Sequence, residues 1–161
     1  MMDLNYIQTP LRNQTIEEQI KDFYLLNNKE RTYQHVLGVA MAAEKLALQY
    51  QEDIRACILA ALLHDISAVI TPQDMMKIAN ELQWQLDSAE KIYPFLLHQK
   101  ISALIAYEYF QIRNLSILKA IESHTTLRSN PSKLDMIIFI ADKLAWDQPG
   151  EPPFKKNIEM A

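Results

Sequence analysis

Residues 54–65, which read IRACILAALLHD, place an apolar helix at the centre of the fold. Asp53 precedes this stretch and can cap its first turn, and the run from Ile58 to Leu63 is apolar on every side of a helix. A helix that is apolar all round is buried among other elements. Because the run ends in His64-Asp65, it brings two polar side chains to the interior of the protein.

The rest of the chain has helical periodicity as well, with apolar residues three and four positions apart and polar helix-start signals before several runs. Only two glycines occur, Gly38 and Gly150, which argues against tight β-hairpins and excludes a glycine-rich phosphate loop. The predicted fold class is therefore all-α. Helices are expected over about 15–26, 30–49, 54–67, 72–82, 97–110, 115–123 and 132–146, and the less clear stretch 84–94 has room for a short one.

Length and composition indicate one domain, residues 1–161, in a soluble cytoplasmic protein. The net charge of -4 argues against nucleic-acid binding through a broad basic surface, and no apolar run is long enough to cross a membrane. Cys57 is the only cysteine, which fits a reducing compartment, and no signal peptide is evident. Residues 147–161 are expected to form a loop and the start of a truncated C-terminal helix.

All four histidines lie in apolar helical contexts, and two aspartates accompany them. Each histidine alone could be a hydrogen-bonded core residue, and Asp142 could pair with Lys143 or Arg128 at the surface. Burial of all these polar groups without a metal would, however, be energetically costly. Histidine and carboxylate are common metal ligands in hydrolytic sites. The candidate ligands are His35, His64, Asp65, His98, His124 and Asp142.

The ordered set His35, His64-Asp65 and Asp142 resembles the HD-domain metal-dependent phosphohydrolases. His98 and His124 resemble the additional ligands of the subgroup that binds two metals. The sequences RTYQHV (31–36), AALLHDI (60–66), HTT (124–126) and AD (141–142) are similar to those of the bacterial symmetrical bis(5'-nucleosyl)-tetraphosphatases. The resemblance covers about residues 31–142.

The resemblance implies an HD-domain helical bundle with two divalent or trivalent metal ions at its centre. Iron is the expected metal, with manganese and magnesium as alternatives. Asp65 would be the catalytic carboxylate that bridges the ions, since a carboxylate has two oxygens, and two such ions can activate water and offset phosphate charge. His35, His64, Asp65 and Asp142 would hold the first ion, and Asp65, His98 and His124 the second.

Three residues are candidates for binding substrate phosphates. Arg31 lies one helical turn before His35, and Arg128 follows His124 closely, so either guanidinium could bind a phosphate through two hydrogen bonds. Thr125 could donate its hydroxyl. Each arginine could equally be a solvated surface charge, and Thr125 could cap a helix end.

The predicted reaction is the symmetrical hydrolysis of diadenosine tetraphosphate to two ADP, with a nucleotide as the small-molecule partner. The chain departs from the family in lacking a lysine in Ile66-Ser67-Ala68-Val69 and in its sequence after Asp142. Alternatives are therefore a phosphatase for nucleoside monophosphates or other phosphate esters, a di-iron oxygenase, and a non-catalytic nucleotide-binding regulator. A homodimer is possible through the apolar helix 101–110. Trp84, Trp146, Tyr107 and Tyr109 could stack on a base or belong to the core.

Overall fold

Eight α-helices and no strand make up the residues that the computed structural model describes, namely 5–147 and 149–151. The predicted all-α fold class is confirmed. Two 3₁₀ segments, Ile66–Val69 and Pro94–Leu97, connect helices next to the site described below. The helices are α1 Ile16–Leu26, α2 Glu30–Tyr50, α3 Ile54–Leu63, α4 Pro72–Glu81, α5 Ser88–Ile92, α6 His98–Glu108, α7 Leu115–Glu122 and α8 Lys133–Leu144.

Side-chain caps explain where several helices begin. Thr15 and Glu18 form a capping box at α1, and Ser132 and Asp135 form another at α8. Each box provides hydrogen-bond partners for two backbone N–H groups at the start of the helix, which have none within the helix. Such a cap stabilises a helix by about 1 kcal/mol. The same kind of box, which was not predicted, starts the short helix α5 within the stretch 84–94.

The central position of α3 follows from its composition. Seven of its residues are buried, and it packs against α2, α6, α7 and α8. Full burial of a side chain such as that of Leu63 contributes about 1.5–3 kcal/mol. Because α3 is covered by several helices, His64, which follows its last residue, lies inside the bundle.

Helix α3 ends at Leu63, earlier than the predicted residue 67, because side chains occupy the carbonyls that would continue it. His64 Nδ1 lies 2.6 Å from the Ala61 carbonyl, and the Tyr24 hydroxyl donates to the Leu62 carbonyl at 3.1 Å. These carbonyls would otherwise accept from the amides four residues further on. The chain turns into the 3₁₀ segment Ile66–Val69 instead, with Asp65 at the bend.

Further predictions concern the C-terminal residues, a membrane span and a homodimer. The loop and helix start expected at 147–161 fall largely outside the described residues. Among the residues described, no single helix has the length and apolar character to cross a membrane, although the pair Ile54–Val69 and Pro72–Glu81, bent by 101°, has them jointly. The apolar part of that pair is the buried core helix α3. The homodimer stays a prediction.

Candidate metal centre

All six predicted ligands meet in one cluster, although they come from five parts of the chain. Helix α2 supplies His35 and α8 supplies Asp142, while His98 is the first residue of α6. His64 and Asp65 follow the end of α3, and His124 follows α7. The histidine side chains are largely or fully buried, whereas the Asp65 and Asp142 side chains retain 29% and 18% of their exposure. A solute can thus reach the carboxylates from outside.

Three of the histidines are oriented by the same local contact. In each, Nδ1 lies within hydrogen-bond distance of the backbone carbonyl three residues earlier, which favours the tautomer that carries the proton on Nδ1. The other nitrogen, Nε2, then faces the cluster, as in metal-ligating histidines. The contacts are His64 to Ala61 at 2.6 Å, His98 to Phe95 at 2.8 Å and His124 to Ile121 at 2.8 Å.

One group of ligand atoms consists of His35, His64 and Asp142. Asp142 Oδ1 lies 3.1 Å from His35 Nε2 and 3.6 Å from His64 Nε2. Ligands each about 2.1 Å from one ion lie roughly 3–4 Å from one another. The three side chains therefore have the separations that a shared cation requires.

A second group surrounds the other side of Asp65. Its Oδ1 lies 3.4 Å from His124 Nε2 and 3.8 Å from His98 Nε2. Its Oδ2 lies 3.5 Å from His64 Nε2, which is close to the ligand atoms of both groups. Asp65 thus presents one oxygen to each group, as a carboxylate that bridges two ions would.

The donor set fits cations better than it fits a network of hydrogen bonds. His64 Nε2 is buried and has no hydrogen-bond partner among the described residues. The Nε2 atoms of His98 and His124 face each other at 3.1 Å, although both Nδ1 atoms are already committed to carbonyls. Without a metal ion, the two rings can form a hydrogen bond only if one of them carries a second proton. Nitrogen and carboxylate ligands suit iron, manganese or zinc.

Both carboxylates are held in the ionised form. Burial alone would raise the pKa of Asp65, but His64 and the other histidines around it lower that pKa well below its usual range. Burial likewise opposes ionisation of Asp142, but the contacts with His35 and Lys143 and the nearby positive charge of His64 hold its pKa far below normal. The protein therefore presents two anionic ligands at neutral pH.

The pKa values of His64 and His98 are shifted in opposite directions by their surroundings. Burial would lower the pKa of His64, but the carboxylates of Asp65 and Asp142 raise it to about 9. For His98, burial and the adjacent His124 lower the pKa to about 4. His98 is accordingly neutral near pH 7 and has a lone pair available for a cation.

Two cavities open onto the cluster. The first, of about 380 Å³, is called the Trp146 cavity, and Arg31, His35, Asp142, Lys143 and Trp146 are among its lining residues. The second, of about 440 Å³, is called the Phe95 cavity, and its lining includes Lys29, Thr71, Phe95 and His98. Thr32 and Asp65 line both. The cluster is therefore accessible from two directions.

The predicted phosphate-binding residues have different environments. Arg31 lines the Trp146 cavity, and Thr125 Oγ1 lies 3.1 Å from His98 Nε2. Arg128, in contrast, forms an ion pair at 2.6 Å with Asp135, whose side chain is fully buried at the start of α8. In this structure Arg128 serves to neutralise a buried carboxylate, and its predicted role toward phosphate stays a prediction.

Two residues near the cluster were not predicted as parts of the site. Lys143 Nζ donates to Asp142 Oδ2 at 2.8 Å and lines the Trp146 cavity. It places a cation beside the cluster, although the position after Asp65 lacks the family's lysine. Phe95 stacks on His98 with ring centroids 4.6 Å apart. The position of Lys143 next to Asp142 in the sequence could have indicated its role, but no sequence signal indicated the contact of Phe95 with His98.

Comparison with known proteins identifies the family. The HD domain profile matches residues 32–147. Symmetrical bis(5'-nucleosyl)-tetraphosphatases from Halalkalibacterium halodurans and Staphylococcus aureus are 37% and 35% identical over 114 residues, which are 70% of this chain and 60% and 58% of theirs. A crystal structure from Clostridium acetobutylicum, described as a predicted HD superfamily hydrolase involved in NAD metabolism, has a TM-score of 0.80 and 30% identity, and the match covers 89% of this chain and 77% of that one.

The curated relatives are longer than the matched region. The chain spans about a third to three fifths of the length of the first of them. Within that region the predicted resemblance is confirmed by the family profile, the relatives and the solved structure. The chain belongs to the HD domain family of metal-dependent phosphohydrolases.

Proposed function

We propose that this chain hydrolyses a dinucleoside polyphosphate, and specifically that it cleaves diadenosine tetraphosphate symmetrically to two ADP. The observation that carries the proposal is the position of Asp65, which turns one oxygen to His64 and the other to His98 and His124. Two relatives are named for this symmetrical reaction.

The six ligands would hold two ions, and we propose iron, with manganese or magnesium as alternatives. When bound, two such ions supply the positive charge that polarises a phosphate and lowers the pKa of the attacking water. Asp65 would fix the two ligand groups relative to each other, because its two oxygens belong to one carboxylate and face one group each. The His64 side chain is fully buried, so solvent does not reach the cluster from its inner side.

The cationic side chains around the cluster would bind the substrate's phosphates. Arg31 and Lys143 line the Trp146 cavity, and Lys29 lines the Phe95 cavity. An arginine can donate two parallel hydrogen bonds to a phosphate, while a lysine acts as a compact charge. We include Arg31 and Thr125 among the phosphate contacts, and add Lys143.

In the proposed reaction one bond forms and one breaks. The oxygen of water bonds to one of the two central phosphorus atoms, and the bond from that atom to the central bridging oxygen breaks. That oxygen leaves as a phosphate oxyanion of the second ADP, which is stable at neutral pH. The proton released by water goes to solvent. We further propose that the reaction takes place in the cytoplasm.

Product analysis tests this proposal directly. Metal-loaded protein is incubated with diadenosine tetraphosphate in water enriched in oxygen-18, and the nucleotides are separated and weighed. The expected result is ADP alone, with one labelled oxygen for each pair of ADP molecules. Formation of ATP and AMP would contradict the symmetrical reaction. Absence of any product, under conditions where a known symmetrical tetraphosphatase is active, would reject this substrate.

A second candidate is a phosphatase that acts on nucleoside monophosphates or other phosphate esters. The segment Ile66–Val69 favours it, because it contains no lysine and is largely buried, so it offers no cation to a long polyphosphate. Release of inorganic phosphate from AMP, faster than ADP formation from diadenosine tetraphosphate, would favour this second candidate.

A further inference from the structure

The two cavities approach different halves of the cluster. His35 and Asp142 line only the Trp146 cavity, whereas His98 lines only the Phe95 cavity. Asp65 and Thr32 form their common boundary. Both volumes lie in the range of small-molecule sites. A ligand that crosses the cluster at Asp65 would therefore extend into a separate cavity on each side.

Phe95 is an exposed aromatic residue beside a polar centre. Its side chain is 61% exposed, although one face of its ring stacks on His98 with an interplanar angle of 15°. The second face is consequently the one that solvent reaches. Burial of this ring against another aromatic group would remove apolar surface from water and add a stacking contact.

Trp146 has a corresponding position in the other cavity. It is 37% exposed, and its indole Nε1 donates to the Gly150 carbonyl at 3.0 Å. This hydrogen bond uses the edge of the indole ring and so orients its faces. Each cavity thus combines one aromatic side chain with at least one cation, namely Phe95 with Lys29 and Trp146 with Arg31 and Lys143.

We propose that each cavity binds one nucleoside diphosphate half of a dinucleoside tetraphosphate, with one base stacked on Phe95 and the other on Trp146. The inference rests on the proposed function and deepens it by naming the two base contacts. The central phosphates then lie at Asp65, between the two ligand groups. Equal occupation of the two cavities explains why cleavage would fall at the centre of the molecule.

Equilibrium binding of ADP and of pyrophosphate tests the inference without any turnover. Calorimetric titration of metal-loaded protein should give two ADP per chain. Replacement of Phe95 by Leu should weaken one ADP site about 5- to 150-fold, the range for loss of one base–aromatic stack, and Trp146→Leu should weaken the other. Pyrophosphate has no base, so its affinity should be unchanged in both variants.

Three controls make the result specific. Phe95→Tyr keeps an aromatic face and should retain both ADP sites. Tyr50→Leu removes an aromatic side chain that is 45% exposed, fifteen residues beyond His35 on α2 and so about 22 Å along the helix, and should have no effect. Metal content is measured in every variant, because Phe95 touches the candidate ligand His98.

The possible outcomes separate this inference from the proposed function. One ADP per chain, or weakening of the same site by both variants, would overturn it, even if diadenosine tetraphosphate is hydrolysed. Equal loss of ADP and pyrophosphate affinity, or loss of a metal ion, in Phe95→Leu would show that the ring supports His98 rather than a base. Two ADP sites with the expected base dependence, but no hydrolysis, would support the inference and reject the proposed reaction.

Discussion

Three histidines of the cluster owe their orientation to carbonyls three residues earlier in the chain. This arrangement needs no second side chain, because the backbone itself fixes Nδ1 and directs Nε2 inward. It also explains how His64 and Asp65, adjacent residues, serve the same centre. His64 points back along α3, and Asp65 lies at the bend where the 3₁₀ segment begins.

Replacement of His98 by Ala tests the second ligand group. We expect metal content to fall from two ions per chain to one and most activity to be lost, because the second group would keep only Asp65 and His124 beside the shared His64. Elemental analysis of the purified variant measures this. His35→Ala is the matched control for the first group and should remove the other ion. Full metal content in His98→Ala would show that His98 is a core residue.

The reactivity of Cys57 reports on the packing of α3. Burial, with smaller contributions from Glu52 and Asp53, raises the pKa of its thiol to about 12. Only the thiolate reacts with disulfide reagents, so at pH 8 the folded protein should react far more slowly than a free thiol. The reaction is followed with a chromogenic disulfide, and the unfolded protein in denaturant is the control. Equal rates in both states would contradict the burial of α3.

The convergence of the six ligands could be predicted because each is a polar side chain in or beside an apolar helical run. The position of Phe95 could not be predicted in the same way, whereas Lys143 directly follows Asp142 in the sequence. The relation of Phe95 to the centre depends on how distant elements enclose the two cavities, and no local pattern records it. The ion pair between Arg128 and Asp135 could not be predicted either. In the sequence, the capping box at the start of α8 already accounts for Asp135, so nothing indicates a second partner.

At the scale of helices, starts were predicted better than ends. The capping boxes at Thr15 and Ser132 are local and depend on residues three positions apart. The end of α3 depends instead on Tyr24, which lies thirty-eight residues earlier in the chain and occupies the Leu62 carbonyl. A contact between distant segments leaves no periodic signal, and the helix was therefore predicted to be longer than it is.

Tyr24→Phe tests this account of the end of α3. The variant removes a donor from a buried carbonyl, which should cost about 1–2 kcal/mol. For a chain of this size that corresponds to a fall in Tm of roughly 2–8 °C. Thermal unfolding followed by circular dichroism measures it, with Tyr50→Phe at an exposed position as control. An unchanged Tm would show that another donor replaces the hydroxyl.

Ser132→Ala tests the cap of α8, the helix that carries Asp142. Loss of the capping box should destabilise the protein by about 1 kcal/mol. The free energy of unfolding in urea provides the measurement. Ser116→Ala, at an exposed position in the first turn of α7, is the matched control and should be neutral or slightly stabilising. Equal effects of the two substitutions would contradict a specific role for the cap.

At the scale of the molecule, the centre is where α2, α3, α6, α7 and α8 meet. Metal binding would therefore connect most of the fold, because the ligands come from segments distant in the chain. An ion bound only by the folded state stabilises it in proportion to the logarithm of its concentration over Kd. The sequence predicted this arrangement in outline through the family resemblance, whereas the two separate cavities emerged only from the packing of the helices.

If Asp65 lies between two metal sites, each chain should bind two ions, and the number of ions bound per chain can be measured. Metal-free protein is titrated with iron(II) or manganese(II), and bound metal is measured against protein concentration after removal of free ions. We expect two ions per chain for the wild type. A single ion at saturation would contradict the second ligand group, and no bound ion would contradict the metal centre altogether.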